Sequence, residues 1–278
     1  MAAWTAIIWF IAGCAGIQPT PPEGPSLPGL YDGQYDNNTI LVNPREMSLA
    51  QVIDSLYTVR TEVTFQTDKD DRTVKQSLRG MAVALFGRYL LTLKHVVSID
   101  RLAVETPLGP AVLPATKVAE HIFLEYHGEG YELECVLMDK GADLAVFRLP
   151  DGLSLRSFPY RIGNSDELQL GNFVYLVGNP MNFGINVREG IVSSLSAPAV
   201  VSKVNSVAKN AFMVSNGLNP GDSGAPVIAI RDGVYELVGI SQGSFLASQR
   251  LGWVIRINNI LPRIQSPQGS RPVVSACH

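Results

Sequence analysis

From residue 61 onward the chain is a succession of short apolar or alternating runs broken by turn residues. TEVTFQ, MAVALFG, YELECVLM, LAVFRL and NFVYLVG come first; INVREGIVSSLS, AFMVSN, APVIAI, YELVGIS and GWVIRIN follow. The runs are rich in Val, Ile, Phe and Tyr, whose branched or aromatic side chains suit a pleated, half-buried surface. No amphipathic segment of 10–15 residues is interleaved, which disfavours a parallel α/β sheet and predicts an all-β barrel or sandwich. The runs divide at 151–170, DGLSLRSFPYRIGNSDELQL, a long irregular link. Two sub-barrels are therefore expected, over about 61–150 and 171–260. Ser48 followed by Gln51, ahead of Val52, Ile53 and Leu56, is a capping-box signal for one short helix before the strands. A brief helix is expected around Ile257–Ile264, limited by Pro262. The charged segment 66–78, QTDKDDRTVKQSL, reads as a solvated loop between two strands.

The start of the chain follows a different pattern. Residues 2–13, AAWTAIIWFIAG, are mostly apolar and uncharged. They are too few to span a bilayer and suit the apolar region of a signal peptide. Ile11-Ala12-Gly13-Cys14 resembles the lipobox of bacterial lipoproteins, in which the cysteine carries lipid after cleavage. Removal of a plain signal at these small residues is the alternative. Pro19, Pro21, Pro22, Gly24, Pro25, Pro28 and Gly29 then hold the chain extended. The expected organisation is a signal over 1–14, a tether over 15–45, a folded domain over 46–265 and a tail over 266–278, in a protein exported to the cell envelope.

Composition narrows the functional classes. A content of 46% hydrophobic and 17% charged residues supports a sizeable globular core. The net charge of −3 and the lack of a basic block argue against nucleic acid as a partner. The cysteines Cys14, Cys135 and Cys277 form no CxxC pair and fit no zinc spacing, so no metal or other cofactor is expected. Cys135, in an apolar run, reads as a buried thiol; pairing with Cys277 is the alternative.

The sharpest motif is Gly221-Asp222-Ser223-Gly224. A fixed string of this kind arises by chance about once in fifty thousand positions. Gly221 lets the backbone turn so that its own N–H and that of Ser223 can point into one hole, able to hold an oxyanion. Gly224 removes a side chain beside Ser223. A serine hydroxyl needs a base, and among His95, His121, His127 and His278, His95 stands at the end of an apolar strand run, LTLKHVV. The imidazole in turn needs a carboxylate to fix its tautomer. Asp143 opens the apolar run LAVFRL, where an aspartate is poorly placed unless paired. The chain order His95, Asp143, Ser223 is that of chymotrypsin and not of subtilisin or the α/β-hydrolases. It puts the first two in one sub-barrel and the third in the other, across a cleft.

These motifs resemble the protease domain of the Deg/HtrA-type branch of trypsin-like serine proteases. YLLTLKHVV is similar to that branch's histidine strand, ADLAVFRL to its aspartate strand, LVGNPMNFGINVREGIVSSLS to its Gly-Asn-Pro loop and following strand, and NPGDSGAPV to its nucleophile loop. The resemblance covers about 48–260. It implies a chymotrypsin-like double β-barrel and a serine endopeptidase acting on unfolded or envelope proteins, with a homo-oligomer among the expected assemblies. A non-catalytic lipoprotein that binds peptides on the same scaffold is the alternative reading. The resemblance further implies a pocket lined by Asn216-Gly217-Leu218, Ser241-Gln242-Gly243 and Gly252-Trp253-Val254, with Ser241 and Gly243 pairing to an extended substrate. The residues after the last strand run are too few for the C-terminal peptide-binding domain that the branch often carries. Asp222 also departs from the asparagine more usual there. In secreted trypsin-like enzymes that aspartate pairs with a newly cut N-terminus, and no comparable activation site is visible, so its partner is left open.

Overall fold

The computed structural model describes residues 31–39, 42, 46–106, 109–197, 210–244 and 251–264. The helix α1 (Leu49–Ile53) starts at Ser48, whose side chain accepts from the Ala50 N–H. Gln51 does not close a capping box. Its side-chain oxygen accepts from the Tyr160 hydroxyl instead, and that hydroxyl oxygen accepts from the Ser48 N–H at 2.5 Å. A tertiary contact has replaced the local one.

The first barrel contains β1 (Leu56–Thr67), β2 (Thr73–Leu85), β3 (Tyr89–Thr92), β6 (Ala115–Tyr126), β7 (Glu129–Glu132), β8 (Glu134–Asp139) and β9 (Leu144–Arg148). A one-turn helix, α2 (Lys94–Val97), and a small hairpin, β4 (Leu102–Thr106) with β5 (Gly109–Leu113), separate β3 from β6. The sheet order is β7-β6-β1-β2-β3-β9-β8. Only Leu133 separates β7 from β8, so one stretch of chain pairs first with β6 and then with β9 and joins the two edges. Along β1 the side chains alternate, with Val59, Val63 and Phe65 buried and their neighbours half-exposed. That is the period of a sheet with one solvated face.

The second barrel contains β10 (Arg161–Ile162), β11 (Phe173–Gly178), β12 (Asn186–Ser194), β13 (Ala211–Val214), β14 (Pro226–Arg231), β15 (Val234–Ser244) and β16 (Gly252–Arg256). Here β15 pairs with both β14 and β16, and the ring β15-β14-β11-β12-β13-β16 closes on itself. Closure leaves the paired segments without an open edge. The end of β15 at Gly243 runs past β14 and, among the described residues, is paired on one side only, with β16. A 3-10 turn at Ile257–Asn259 and the helix α3 (Leu261–Ile264) follow. A single apolar cluster runs through both barrels, from Leu91 and Phe147 to Leu176 and Phe212. Full burial contributes about 1.5–3 kcal/mol for each such side chain. The structure is thus the nearly all-β, two-barrel fold expected.

Three local readings change. Residues 73–78 are strand rather than loop: β2 continues through them against β1 with Gln66 opposite Thr73, and the turn is confined to 68–72. Their polarity reflects an arm with one solvated face: exposed side chains alternate with half-buried ones along 73–78, while Val63 and Phe65 opposite them pack with Val74 and Leu102 in a small apolar cluster of their own. Cys135 is disulfide-bonded rather than a free thiol, and its partner lies outside the described residues. Residues 31–39, assigned to the tether, pack on the second barrel. The Tyr35 ring is buried beneath the Arg231 guanidinium at 4.0 Å, its hydroxyl donates to Glu236 Oε2 at 2.9 Å, and the Asp36 N–H donates to the Ile230 carbonyl at 2.8 Å. Proline density ends at Gly29, so nothing prevents an aromatic residue six positions on from docking. The proposed signal and Cys14 lie outside the described residues. Among the described residues, no helix is long and apolar enough to cross a membrane.

Candidate active site

His95 sits in the first turn of α2, not in a strand. The chain leaves β3 at Thr92, and α2 turns the imidazole back towards β9. Asp143 lies one residue before β9 with φ of 52°, in the left-handed region that aspartate tolerates better than most residues. This turn aims the carboxylate at His95. Asp143 Oδ2 is 2.7 Å from His95 Nδ1, and Oδ1 accepts from the His95 N–H at 2.9 Å. The Lys94 N–H donates to the Asp143 carbonyl at 3.1 Å, so backbone and side chain both tie the two residues. Burial pushes the Asp143 carboxyl up. The hydrogen bond and charge of His95, with the Gln242 amide, outweigh it and hold the group below its ordinary range. With Nδ1 on a carboxylate, Nε2 is the ring atom left for proton transfer, and it has no hydrogen-bond partner among the described residues.

Ser223 reaches the same place from the second barrel, in the turn before β14. Its carbonyl accepts from the Met81 N–H of β2 at 3.1 Å, so the barrels are joined at the nucleophile's own backbone. The Ser223 hydroxyl donates to the Gln242 carbonyl at 3.2 Å. The Gln242 side chain, almost fully buried, donates to Asp143 Oδ2 at 2.8 Å. Gln242 therefore links serine and aspartate through one residue, a role the sequence reading, which placed it in the pocket, did not contain. Its only signal was a long amide inside β15, in the run YELVGISQG.

The glycines of the motif are required by contact. A Cβ on Gly224, with φ of 90°, would lie 2.0 Å from the Met81 carbonyl oxygen. What Gly224 permits is the approach of the first barrel, more than open space beside Ser223. Gly221 has φ of 94°, and a Cβ there would lie 2.4 Å from the Asn179 carbonyl oxygen. The Pro220 carbonyl accepts from the Met181 N–H at 2.6 Å. Because a trans peptide sets N–H opposite C=O, the Gly221 N–H points away from that contact. Among the described residues the Gly221 and Ser223 N–H groups donate to nothing, which leaves both able to hold an oxyanion.

The expected pocket segments are brought together in part. Leu218 is buried and packs on Gly252, where a Cβ would lie 2.1 Å from Leu218 Cδ1. The Trp253 ring covers Gly243, where a Cβ would lie 2.7 Å from Cζ2. Ser241 does not point into a pocket; its hydroxyl donates to the Asp222 carbonyl. The Gly217 carbonyl accepts from Arg188 Nη1 at 2.5 Å. Arg188, inside INVREGIV on β12, is a residue that sequence reasoning did not single out. Only the unpaired carboxylate of Asp222 hinted that a cation was needed. Of the other histidines, His121 contacts Glu132 on the surface. Among the described residues no group of three or more His, Cys, Asp or Glu side chains is placed to hold a metal ion.

Two barrels, with the His95–Asp143 pair on one and Ser223 on the other, linked through Gln242, define a peptidase-type double barrel. The trypsin-like peptidase domain model matches residues 80–240, and the chain belongs to that family. The putative serine protease HhoA of Synechocystis sp. is 31% identical over 121 residues, 43% of this chain and 29% of its own length. A probable periplasmic serine endoprotease, DegP-like, of Chlamydia muridarum is 28% identical over 123 residues, 44% of this chain and 22% of its own length. The matches thus span less than a third of these relatives. A solved HtrA-type protease, an AlgW variant with a decapeptide, superposes with a TM-score of 0.60 at 21% identity, over 78% of this chain and 64% of that one. The two-barrel fold is therefore that of HtrA proteases.

Proposed function

We propose that the protein is a serine endopeptidase in which Ser223 attacks the scissile carbonyl and His95 Nε2 takes the serine proton. Asp143 holds the imidazole and stabilises the imidazolium that forms. The tetrahedral oxyanion is held by the N–H groups of Gly221 and Ser223. His95 then protonates the leaving amine, an acyl-enzyme remains on Ser223 Oγ, and water attacks it by the same route in reverse. The observation that carries this reading is the double hold of Asp143 on His95, which leaves Nε2 unpaired, opposite a serine anchored at the barrel seam. At rest the hydroxyl is parked on the Gln242 carbonyl, so a rotation about the Ser223 Cα–Cβ bond precedes attack. Catalytic hydrogen bonds are often loose in the empty state and tighten with substrate.

The substrate is an extended or unfolded polypeptide, bound as an added strand along Gly243 and cut after a small or medium apolar residue. The three pocket segments carry no Asp or Glu, so a buried Lys or Arg side chain would lack a counter-charge, a cost of several kcal/mol. Leu218 on Gly252 narrows the pocket further. The decapeptide on the HtrA-type neighbour supports a peptide ligand, and the word periplasmic in a relative's name supports the cell envelope. Anchoring through a lipid on Cys14 belongs to the same proposal. Fluorophosphonate labelling and digestion of casein test the activity. Ser223→Ala should abolish both, with turnover falling on the order of 10⁶-fold. Casein digestion by Ser223→Ala at the wild-type rate would show the assignment to be wrong.

A further inference from the structure

Asp222, the residue before the nucleophile, is fully buried, and its charge is met from inside the fold. Asp222 Oδ1 accepts from Arg188 Nη2 at 2.5 Å, and Oδ2 accepts from the Asn219 N–H at 2.8 Å. The other arm of the same guanidinium, Nη1, donates to the Gly217 carbonyl at 2.5 Å. One planar fork thus spans both ends of the 217–222 loop: Gly217 at the pocket wall and Asp222 against Ser223. The fork is itself held. Arg188 is paired in β12 opposite Leu176, and its carbonyl accepts from Asn216 Nδ2 at 2.8 Å. The barrel is also built small around the pair. A Cβ on Gly178 would lie 2.4 Å from Asp222 Oδ1 and 3.2 Å from Arg188 Nη2.

We propose that Arg188 is a positioning residue that keeps the oxyanion loop in its working shape, supplying internally the cation that Asp222 requires. A buried carboxylate without a partner leaves for water. If Asp222 left, it would carry the Asp222–Ser223 peptide with it and turn the Ser223 N–H out of the hole. With Arg188 in place, the order of this loop does not depend on a newly cut N-terminus. This inference rests on the serine-peptidase reading of Ser223 above.

The test uses the full chain, an internally quenched peptide with Val before the scissile bond, and a fluorophosphonate. Arg188→Met should lower kcat about 10²–10³-fold, the loss seen when an oxyanion donor is removed, with a much smaller change in KM and slower labelling of Ser223. Arg188→Lys keeps the charge but cannot bond Asp222 and Gly217 together, so kcat should fall several-fold while the melting temperature stays near wild type. If Arg188→Met does not fold, the lysine variant decides. Asp222→Asn and Arg188→Met should be strongly non-additive in kcat, because they act through one contact. A kcat for Arg188→Met or Arg188→Lys within twofold of wild type, or strictly additive effects, would overturn the proposal. A wild-type protein inert to both peptide and fluorophosphonate would instead overturn the peptidase reading itself.

Discussion

At the scale of single residues, Gln242 joins two members of the proposed triad, donating to Asp143 and accepting from Ser223. Its amide is one of two side-chain donors to Asp143 Oδ2, the other being His95. A hydrogen bond to a charged group contributes about 1.5–3 kcal/mol. If most of that is expressed in the transition state, Gln242→Leu should lower kcat roughly 10–100-fold with little change in KM. Steady-state kinetics on the quenched peptide measure it, and an unchanged kcat would return Gln242 to a packing role. Gly224 tests the seam in a different way. An alanine there must hold φ of 90° and displace the Met81 backbone. The strain and the overpacking cost about 1–3 kcal/mol each, so Gly224→Ala should lose about 2–6 kcal/mol in denaturant unfolding.

At the scale of elements, the residues of the proposed site fall on short irregular pieces that the strands hold in place. The loop after β11 places the Asn179 carbonyl under Gly221 and the Met181 N–H on Pro220, which sets the peptide orientation that the proposed oxyanion hole requires. In the proposed reading the 216–218 segment before Ser223 lines the pocket and sets specificity. Leu218→Ala should enlarge the pocket and shift cleavage towards Leu, Met or Phe before the scissile bond. The change in kcat/KM ratio should be modest, since a methylene in such a pocket is worth only about 1–3 kcal/mol. Cleavage-site profiling of the two proteins checks this. An unchanged profile would place the pocket floor elsewhere. Both corrected elements have one cause. Strand pairing carries β2 into a polar stretch, and an aromatic ring draws 31–39 onto the barrel, although local composition favours a loop and a tether.

At the scale of the molecule, one buried and one half-buried carboxylate make stability depend on pH in opposite senses. Asp143 is held below its ordinary value when folded, so its contribution is present above the unfolded carboxyl range and is lost as pH falls through the lower folded value. Asp36 is the reverse. Burial first, then the neighbouring charges of Asp232 and Asp32, push it up to about 6. Its neutral form suits the fold, so stability falls as pH rises from about 4 to about 6 and stays lower above that. Asp36→Asn should therefore raise the melting temperature at pH 8 and leave it unchanged at pH 3.5. Equal shifts at both pH values would show that the carboxyl's charge is not the cause.

Whereas the second barrel begins earlier than expected, at β10 inside the 151–170 link, the two-barrel architecture was legible in the sequence, as was the motif order His95, Asp143, Ser223 on which the proposed triad rests. Each rests on information that is local along the chain: period-2 burial, turn residues, and a glycine-serine motif whose glycines have few other uses. Which group completes which was not legible. The left-handed turn at Asp143, the amide of Gln242 on that aspartate, the Arg188 fork on Asp222 and the disulfide of Cys135 all join positions far apart in sequence or on different strands. Any of several arginines or amides in the chain satisfies the same local rules. Only the closure of the barrels, which sets each strand's register and brings Met81 against Ser223, selects among them. A buried charge or donor must then be met by whatever side chain that packing brings within about 3 Å.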